Sequence, residues 1–373
     1  MFTTGRNAWK RIALGLLALA VIAPQSLLMA ANTTRVGITV VADANTADEL
    51  LKHTRHEANL VHGLVKDAVS VDKLNAELLA AGETGRVTVS VWDGTAIPFV
   101  SDTVNVIVAA DRQVTDEMRR ALAPYGVVVV PDGTKLWKKP YPKDMDEWPH
   151  YLYAPSGNSV SKDMRIGPPR RTKWLAGPQM ARHHDHLPSL NAMVSSGGRV
   201  FYIFDEASIA SILFPPEWNL IARDAFNGVL LWKKNIQEWH PHLWPLKSMP
   251  ATLPRRLVSI GDHVYVTLGI MAPVTQLNAV DGAETRVFAG SERCEEIVVS
   301  GDTLLAVCLS GPGPLDDLDA QRGETGRDGR TTGFAYLQKL MGGIKWPLWL
   351  NAKRRLIAYD LKSGREKWHA DGK

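Results

Sequence analysis

Two distant stretches of this chain follow one template. Leu220–Lys234 reads LIARDAFNGVLLWKK, and Leu356–Ala370 reads LIAYDLKSGREKWHA. Both run apolar strand, Asp, three residues, Gly, three residues, Trp. Asp224, Gly228 and Trp232 in the first correspond to Asp360, Gly364 and Trp368 in the second. A weaker copy lies between them at Gln276–Phe288, QLNAVDGAETRVF. There Asn278 and Gly282 hold the Asp and Gly places, and Arg286 holds that of the Trp. Such repetition outranks local propensity, because a repeat fold is mis-assigned when its repeat is missed.

Each copy predicts a β-hairpin: an alternating apolar strand, a turn from Asp or Asn to Gly, and a second strand bearing the large side chain. A turn glycine with an apolar strand precedes each copy, at Gly198–Tyr202, Gly261–Tyr265 and Gly301–Leu305. A further apolar run precedes each of these, at Leu190–Val194, Arg256–Ile260 and Glu296–Ser300. Four strands per unit of roughly 40–50 residues is the pattern of a propeller blade, with a generic antiparallel sandwich as the alternative. About three blades are expected between Leu190 and Lys373, against roughly 4–8 in a closed ring. The propeller is therefore expected to be incomplete, either a fragment or dependent on partner blades, with aggregation-prone open edges.

Residues 35–131 show another pattern. Strands are predicted at Val36–Val41, Asn59–Gly63, Arg86–Val91, Thr103–Ala110 and Gly126–Val130. Helices are predicted at Thr46–Arg55, Ser70–Ala81 (ending at Gly82) and Thr115–Ala123. Strands separated by helices imply a mostly parallel, doubly wound, Rossmann-like sheet. Residues 132–180, rich in Pro, Trp, Tyr and Lys, read as a linker, with Arg170–Ala176 as a candidate blade-closing strand.

The N-terminus reads as a targeting segment. Arg6, Lys10 and Arg11 form a basic region, Ile12–Ile22 an apolar one, and Leu28-Met29-Ala30 a cleavage point. A signal peptide over residues 1–30 is expected, with a retained anchor as the alternative. The expected location is the periplasm or another exported compartment, with no membrane span after cleavage. Removing those three basic residues from the formal charge of +4 leaves about +1, which speaks against nucleic-acid binding.

Within the α/β part, Val87–Asp111 (VTVSVWDGTAIPFVSDTVNVIVAAD), followed by ALAPYGVVVV, resembles class I S-adenosylmethionine-dependent methyltransferases. The resemblance implies Asp43, Asp67, Asp93 and Gly94 as cofactor-contacting positions, with Asp93 facing the adenine. The family's glycine-rich loop after the first strand is replaced here by VVADANTADEL, and no glycine occurs between Gly37 and Gly63. Backbone that must approach a ligand closely needs residues without Cβ. The ribose-binding acidic position falls on Val65, with Asp67 two residues on. The domain is expected to be a remnant kept for its shape.

From Met145 onward, MDEWPHYLY, ARHHDH and the two long repeats resemble the PQQ-repeat, quinoprotein-like propellers of bacterial envelopes. The resemblance implies either a dehydrogenase using the quinone with Ca²⁺ or a scaffold without chemistry. The adjacent cysteines frequent in the dehydrogenases are absent, since Cys294 and Cys308 lie far apart in sequence.

The densest ligand cluster is His183, His184, Asp185 and His186, with His240 and His242 as a second group. Histidines two apart on a strand share a face, which suits Zn²⁺ or Cu²⁺; loop capping at blade edges is the other reading. Trp232 and Trp368 are expected to pack between blades, while Trp218, Trp239, Trp244, Trp346 and Trp349 are expected to be freer. Pro254–Arg256 and Lys353–Arg355 read as solvated basic runs, and Asp316–Arg330 as a mobile insertion. A three-residue turn at Ser300-Gly301-Asp302 would set Cys294 opposite Cys308, within disulfide reach; a two-residue turn would part them. The expected function is an exported, non-catalytic binding or scaffolding protein that meets a protein or polysaccharide of the envelope. Quinone-dependent dehydrogenase and methyltransferase are the alternatives.

Overall fold

Apolar runs alternating with capped helices build the first part as a sheet covered on both faces. The computed structural model describes residues 36–178, 180–182, 188–210, 214–237, 239, 252–311 and 352–372. Strands β1 (Ile38–Val41), β2 (Leu60–Val65), β3 (Val87–Val91), β4 (Val104–Val108) and β5 (Leu122–Val129) are parallel. Helices α1 (Ala47–Leu51), α2 (Ala68–Ala80) and α3 (Asp116–Ala121) connect them. Side chains of Thr46, Asp67 and Thr115 cap these helices by accepting from Glu49, Ser70 and Met118 amides. All of β4 is buried. One face packs Val41, Val106, Leu50, Leu74 and Leu78; the other packs Val40, Ile107, Met118 and Leu122.

The sheet extends further than the sequence indicates. β6 (Lys135–Lys138) joins antiparallel to β5, giving the order β3-β2-β1-β4-β5-β6. Its two lysines and single pairing side hide it from an apolar-alternation reading. Trp137 anchors it against the Met118 core, with the Arg119 guanidinium 4.7 Å over its ring. Arg170–Ala176, by contrast, forms no strand.

Three four-stranded antiparallel sheets follow, consistent with consecutive blades of a partial propeller. The first blade is β7 (Leu190–Ser196), β8 (Arg199–Asp205), β9 (Trp218–Asp224) and β10 (Leu230–Asn235). The second is β11 (Leu257–Ile260), β12 (His263–Thr267), β13 (Val274–Asn278) and β14 (Glu284–Phe288). The third is β15 (Cys294–Ser300), β16 (Thr303–Leu309), β17 (Arg354–Asp360) and β18 (Glu366–Asp371).

The repeat has one stereochemical cause in all three blades. The amides of Gly228, Gly282 and Gly364 donate to the carbonyls of Asp224, Asn278 and Asp360 at 2.9, 2.9 and 2.7 Å. These glycines sit at φ +74°, +72° and +72°, where a Cβ is unfavourable. The Asp or Asn side chain accepts from an amide inside the turn: Phe226, Val280 and Ser363. A bulge then brings Trp232, Arg286 and Trp368 opposite Ala222, Gln276 and Ala358.

The β15–β16 hairpin takes the shorter of the two turns the sequence allows, without the loss of pairing expected from it. Ser300 pairs with Thr303 around a two-residue Gly301-Asp302 turn. A bulge between Cys294 and Glu296 shifts the register back, so Cys294 still lies opposite Cys308. Both thiols are buried and free.

Candidate functional site

The predicted cofactor residues collect at one end of the α/β sheet. Asp43, Asp67 and Asp93 follow the C-terminal ends of the neighbouring strands β1, β2 and β3. Each carboxylate has a local partner. Asp67 accepts the Ser70 amide at 2.8 Å and its hydroxyl at 3.0 Å. Asp93 accepts the Thr95 amide at 2.9 Å and hydroxyl at 2.6 Å. These bonds hold both acids below the usual carboxylate range. Asp43, at φ +52°, lies 3.9 Å from the Lys66 ammonium. Gly94 is at φ +86° with open space where a Cβ would project, so the turn alone accounts for it. This set does not fit S-adenosylmethionine: the β1 loop carries side chains where backbone must approach, and the carboxylates serve a helix cap and a turn.

The opposite end of the sheet is fastened to the first blade. Asn105, at the start of β4, donates to the buried Asp224 carboxylate at 2.8 Å. The Asn227 side-chain amide donates to Thr103 O at 2.8 Å and Asn105 Oδ1 at 2.7 Å. The first repeat's turn is thus a structural joint between domains, and the cofactor end points away from it.

A second site emerges where the blades converge. β7, β11 and β15 are the edge strands of their sheets and lie together. Trp148, Pro149 and His150 cross them one residue per blade. Trp148 exchanges hydrogen bonds with Ser195 of β7, donating to its hydroxyl at 2.9 Å and accepting from its amide at 2.8 Å. Pro149 O accepts the Ser259 amide of β11 at 3.0 Å. His150 Nε2 accepts the Val299 amide of β15 at 3.1 Å. Glu147 accepts the Gly198 amide at 3.1 Å. Asp146 fixes the following loop by accepting from Tyr153 Oη and the Lys162 amide, both at 2.6 Å.

Because Nε2 accepts, the His150 proton sits on Nδ1, which has no partner among the described residues. Burial pushes the imidazole pKa down to about 4. Beside it opens a small cleft lined by His150, Tyr151, Arg255, Glu296 and Val298. Arg255 pairs with Glu296 at 2.9 Å and lies 5.8 Å over the Tyr151 ring, so the cleft's charges are matched. Sequence reasoning assigned this segment to a linker, because its partners lie on three other elements.

Neither a protein-family model nor a curated protein sequence matches this chain. Solved structures do. The α/β part is similar to a putative sarcosine dimethylglycine methyltransferase from Galdieria sulphuraria, at 20% identity over 28% of this chain and 42% of that one, TM-score 0.24. It is also similar to a SAM dependent methyltransferase from Aquifex aeolicus, at 18% identity over 26% and 56%, TM-score 0.22. A quinohemoprotein alcohol dehydrogenase from Comamonas testosteroni matches at 12% identity over 60% of this chain and 27% of that one, TM-score 0.27. These are likenesses of fold. The chain covers 27% to 56% of these proteins' lengths.

Several expected surface residues are elsewhere. Trp218 and Trp239 are buried, the Trp239 indole donating to Asn191 Oδ1 at 2.7 Å. Arg256 is fully buried, donating to Ile270 O at 2.6 Å and stacking over Trp239. A low-dielectric site takes a guanidinium only with such partners. The Lys353–Arg355 run does stay at the surface, with Lys353 exposed and Arg354 and Arg355 partly exposed and paired with Glu295 and Asp371. Trp232 packs between blades as expected, at 8% exposure, whereas Trp368 is 48% exposed. His183, His184, Asp185, His186, His240 and His242 lie outside the described residues, as do the targeting segment, Trp244, Trp346, Trp349 and Asp316–Arg330. Among the described residues no group of three metal-ligating side chains occurs, and no helix is long and apolar enough to cross a membrane.

Proposed function

We propose that this chain is an exported, non-catalytic binding or scaffolding protein. Its blades present the binding surface to a protein or polysaccharide of the cell envelope, and the α/β domain serves as a rigid head. One observation carries this reading: Glu147–His150 fills the place where the blades converge, satisfying β7, β11 and β15 with its own polar groups. That is the central-channel region in which a propeller has room for a ligand. A quinone with Ca²⁺ would have to displace those bonds, so the residues present do not fit it. The Asn105–Asp224–Asn227 joint supports the rigid-head part of the reading.

Calorimetry tests it. Titrations of S-adenosylmethionine, and of PQQ with Ca²⁺, are expected to give only heats of dilution. Elemental analysis is expected to show no stoichiometric Zn²⁺ or Cu²⁺. The protein is expected in the envelope fraction, with a mature N-terminus near Ala30. Saturable binding of either cofactor, or a stoichiometric metal, overturns the non-catalytic reading; an unprocessed cytosolic chain overturns the export.

A further inference from the structure

On the edge of the α/β sheet one imidazole holds two hydroxyls. His62 Nδ1 lies 2.8 Å from Thr88 Oγ1, and Nε2 lies 2.9 Å from Ser90 Oγ. Strand register produces the contact. His62 of β2 pairs with Thr88 of β3, and Leu64 with Ser90, so the three side chains share one face. The Phe99 ring stands edge-on to the imidazole, with centroids 5.4 Å apart and planes at 81°, and limits its rotation. β3 is an edge strand of its sheet, so this corner is open to solvent on one side. Thr88 is exposed, and His62 and Ser90 are half-buried. None of the three is among the acids at the strand ends. Among the described residues, no other histidine carries a side-chain hydroxyl on each ring nitrogen.

A neutral imidazole has one donor and one acceptor nitrogen. Two hydroxyls on one ring are therefore not equivalent: one accepts the ring N–H, and the other donates to the bare nitrogen. The donating hydroxyl is the one whose proton the ring can take. That is the geometry of an activated nucleophile: a hydroxyl within hydrogen-bond reach of a base, and the base oriented by a third group. Ser90 suits the nucleophile's place. Its hydroxyl is primary and half-buried, whereas Thr88 is branched at Cβ and exposed, which suits the acceptor of Nδ1–H. Burial holds the His62 imidazole below its usual pKa of 6.5, so the ring is neutral and able to accept at neutral pH.

We propose that Ser90 is an acyl-accepting nucleophile, with His62 as its base and Thr88 orienting the ring, and that its acyl group comes from an activated ester or thioester. Ser90 Oγ attacks the acyl carbon as its proton passes to His62 Nε2, while Nδ1–H stays on Thr88 Oγ1. The bond from the acyl carbon to the leaving oxygen or sulfur then breaks, and the leaving group takes the proton from Nε2. The products are an acyl ester of Ser90 and a free alcohol or thiol; nothing is oxidised or reduced. The corner is open rather than enclosed, so charge on the acyl oxygen is met by water and not by preorganised donors. One modification per chain is expected, without turnover. The inference goes beyond the scaffold reading and does not depend on it.

Acetylation by p-nitrophenyl acetate, mapped by tandem mass spectrometry, reads the site. In the unaltered 373-residue chain, Ser90 is expected to acetylate about a hundredfold faster than exposed serines such as Ser156 and Ser159, the lower end of what a positioned base contributes. The rate is expected to be level above about pH 6.5 and to fall in more acid solution, as the ring gains a proton. His62→Gln is expected to bring Ser90 to the rate of the exposed serines. Thr88→Val is expected to slow it, because the ring loses the acceptor that keeps Nε2 bare. A hydrogen-bond set that serves the fold alone gives none of these readouts. Ser90 reacting no faster than Ser156 and Ser159 overturns the proposal. Acetylation of Thr88 in place of Ser90 also overturns it, since the two hydroxyls then hold the opposite roles. A rate that climbs steadily with pH, without a plateau, marks attack by serine unaided by the ring and overturns it as well; the unaltered chain gives this readout even where a variant fails to fold.

Discussion

His150 ties the linker to the third blade only while its imidazole is neutral, since Nε2 must accept from the Val299 amide. Its pKa falls from 6.5 to about 4 in the folded chain, through burial. Between those values the unfolded chain binds more protons than the folded one, so this stability is complete above about pH 6.5 and drains away toward pH 4. The shift corresponds to on the order of 3 kcal/mol. Urea unfolding of His150→Gln is expected to lose most of that slope between pH 4 and 6.5; an unchanged slope assigns it to other groups. Asn105 bonds to Ile38 N, to Asn227 and to the Asp224 carboxylate. Asn105→Ala is expected to cost about 1–3 kcal/mol in the same assay, because buried polar groups lose partners. A change within about 0.5 kcal/mol, the range of an ordinary surface substitution, refutes the joint. Neither role was legible in sequence, since Val299 lies 149 positions from His150 and Asp224 lies 119 from Asn105.

At the scale of elements, what sequence carries locally was readable. Helical spacing and Gly82 placed α2, and the Asp/Asn-to-Gly spacing placed the blade turns, because each is set by near neighbours; the caps at Thr46, Asp67 and Thr115 emerged only in the structure. β6 was missed because one edge pairing needs no apolar alternation. The β15–β16 hairpin shows how a local reading fails and its consequence survives. The turn is the two-residue one that was expected to part the cysteines, and a bulge beyond it restores their pairing. Refolding with oxidised glutathione is expected to bridge Cys294 and Cys308. Two thiols and one glutathione disulfide become one protein disulfide and two glutathione thiols, lowering the protein mass by two hydrogen atoms. In the chain-entropy model, closing this 15-residue loop stabilises by roughly 3 kcal/mol. Thiol counting in denaturant decides: two free thiols per chain after such refolding contradict the bridge. Cys308 keeps its proton well above the usual thiol range, because it hydrogen-bonds Cys294 and is buried, so slow bridging of the folded protein is expected.

At the scale of the molecule, a Rossmann-like head and three blades share one described unit, with the first repeat's turn serving both. The succession of sheets followed from the repeat and the helix–strand alternation. The exposure of Trp368 did not, because a repeat position reports what its side chain is built to meet and not whether the partner is there. The central claim is that each repeat's large side chain and the next blade's glycine form one interaction. A double-mutant cycle on Trp232 and Gly282 tests it by equilibrium unfolding. Gly282→Ala adds a Cβ at φ +72° and 2.8 Å from the Trp232 ring. In the Trp232→Ala background the clash is gone and the backbone strain remains, so its cost is expected to fall by about 1 kcal/mol or more. Gly261→Ala is the control: Gly261 is at φ +57° with open space around its Cβ position, and the substitution is expected to cost the same in both backgrounds. Equal costs of Gly282→Ala with and without Trp232 would contradict the account.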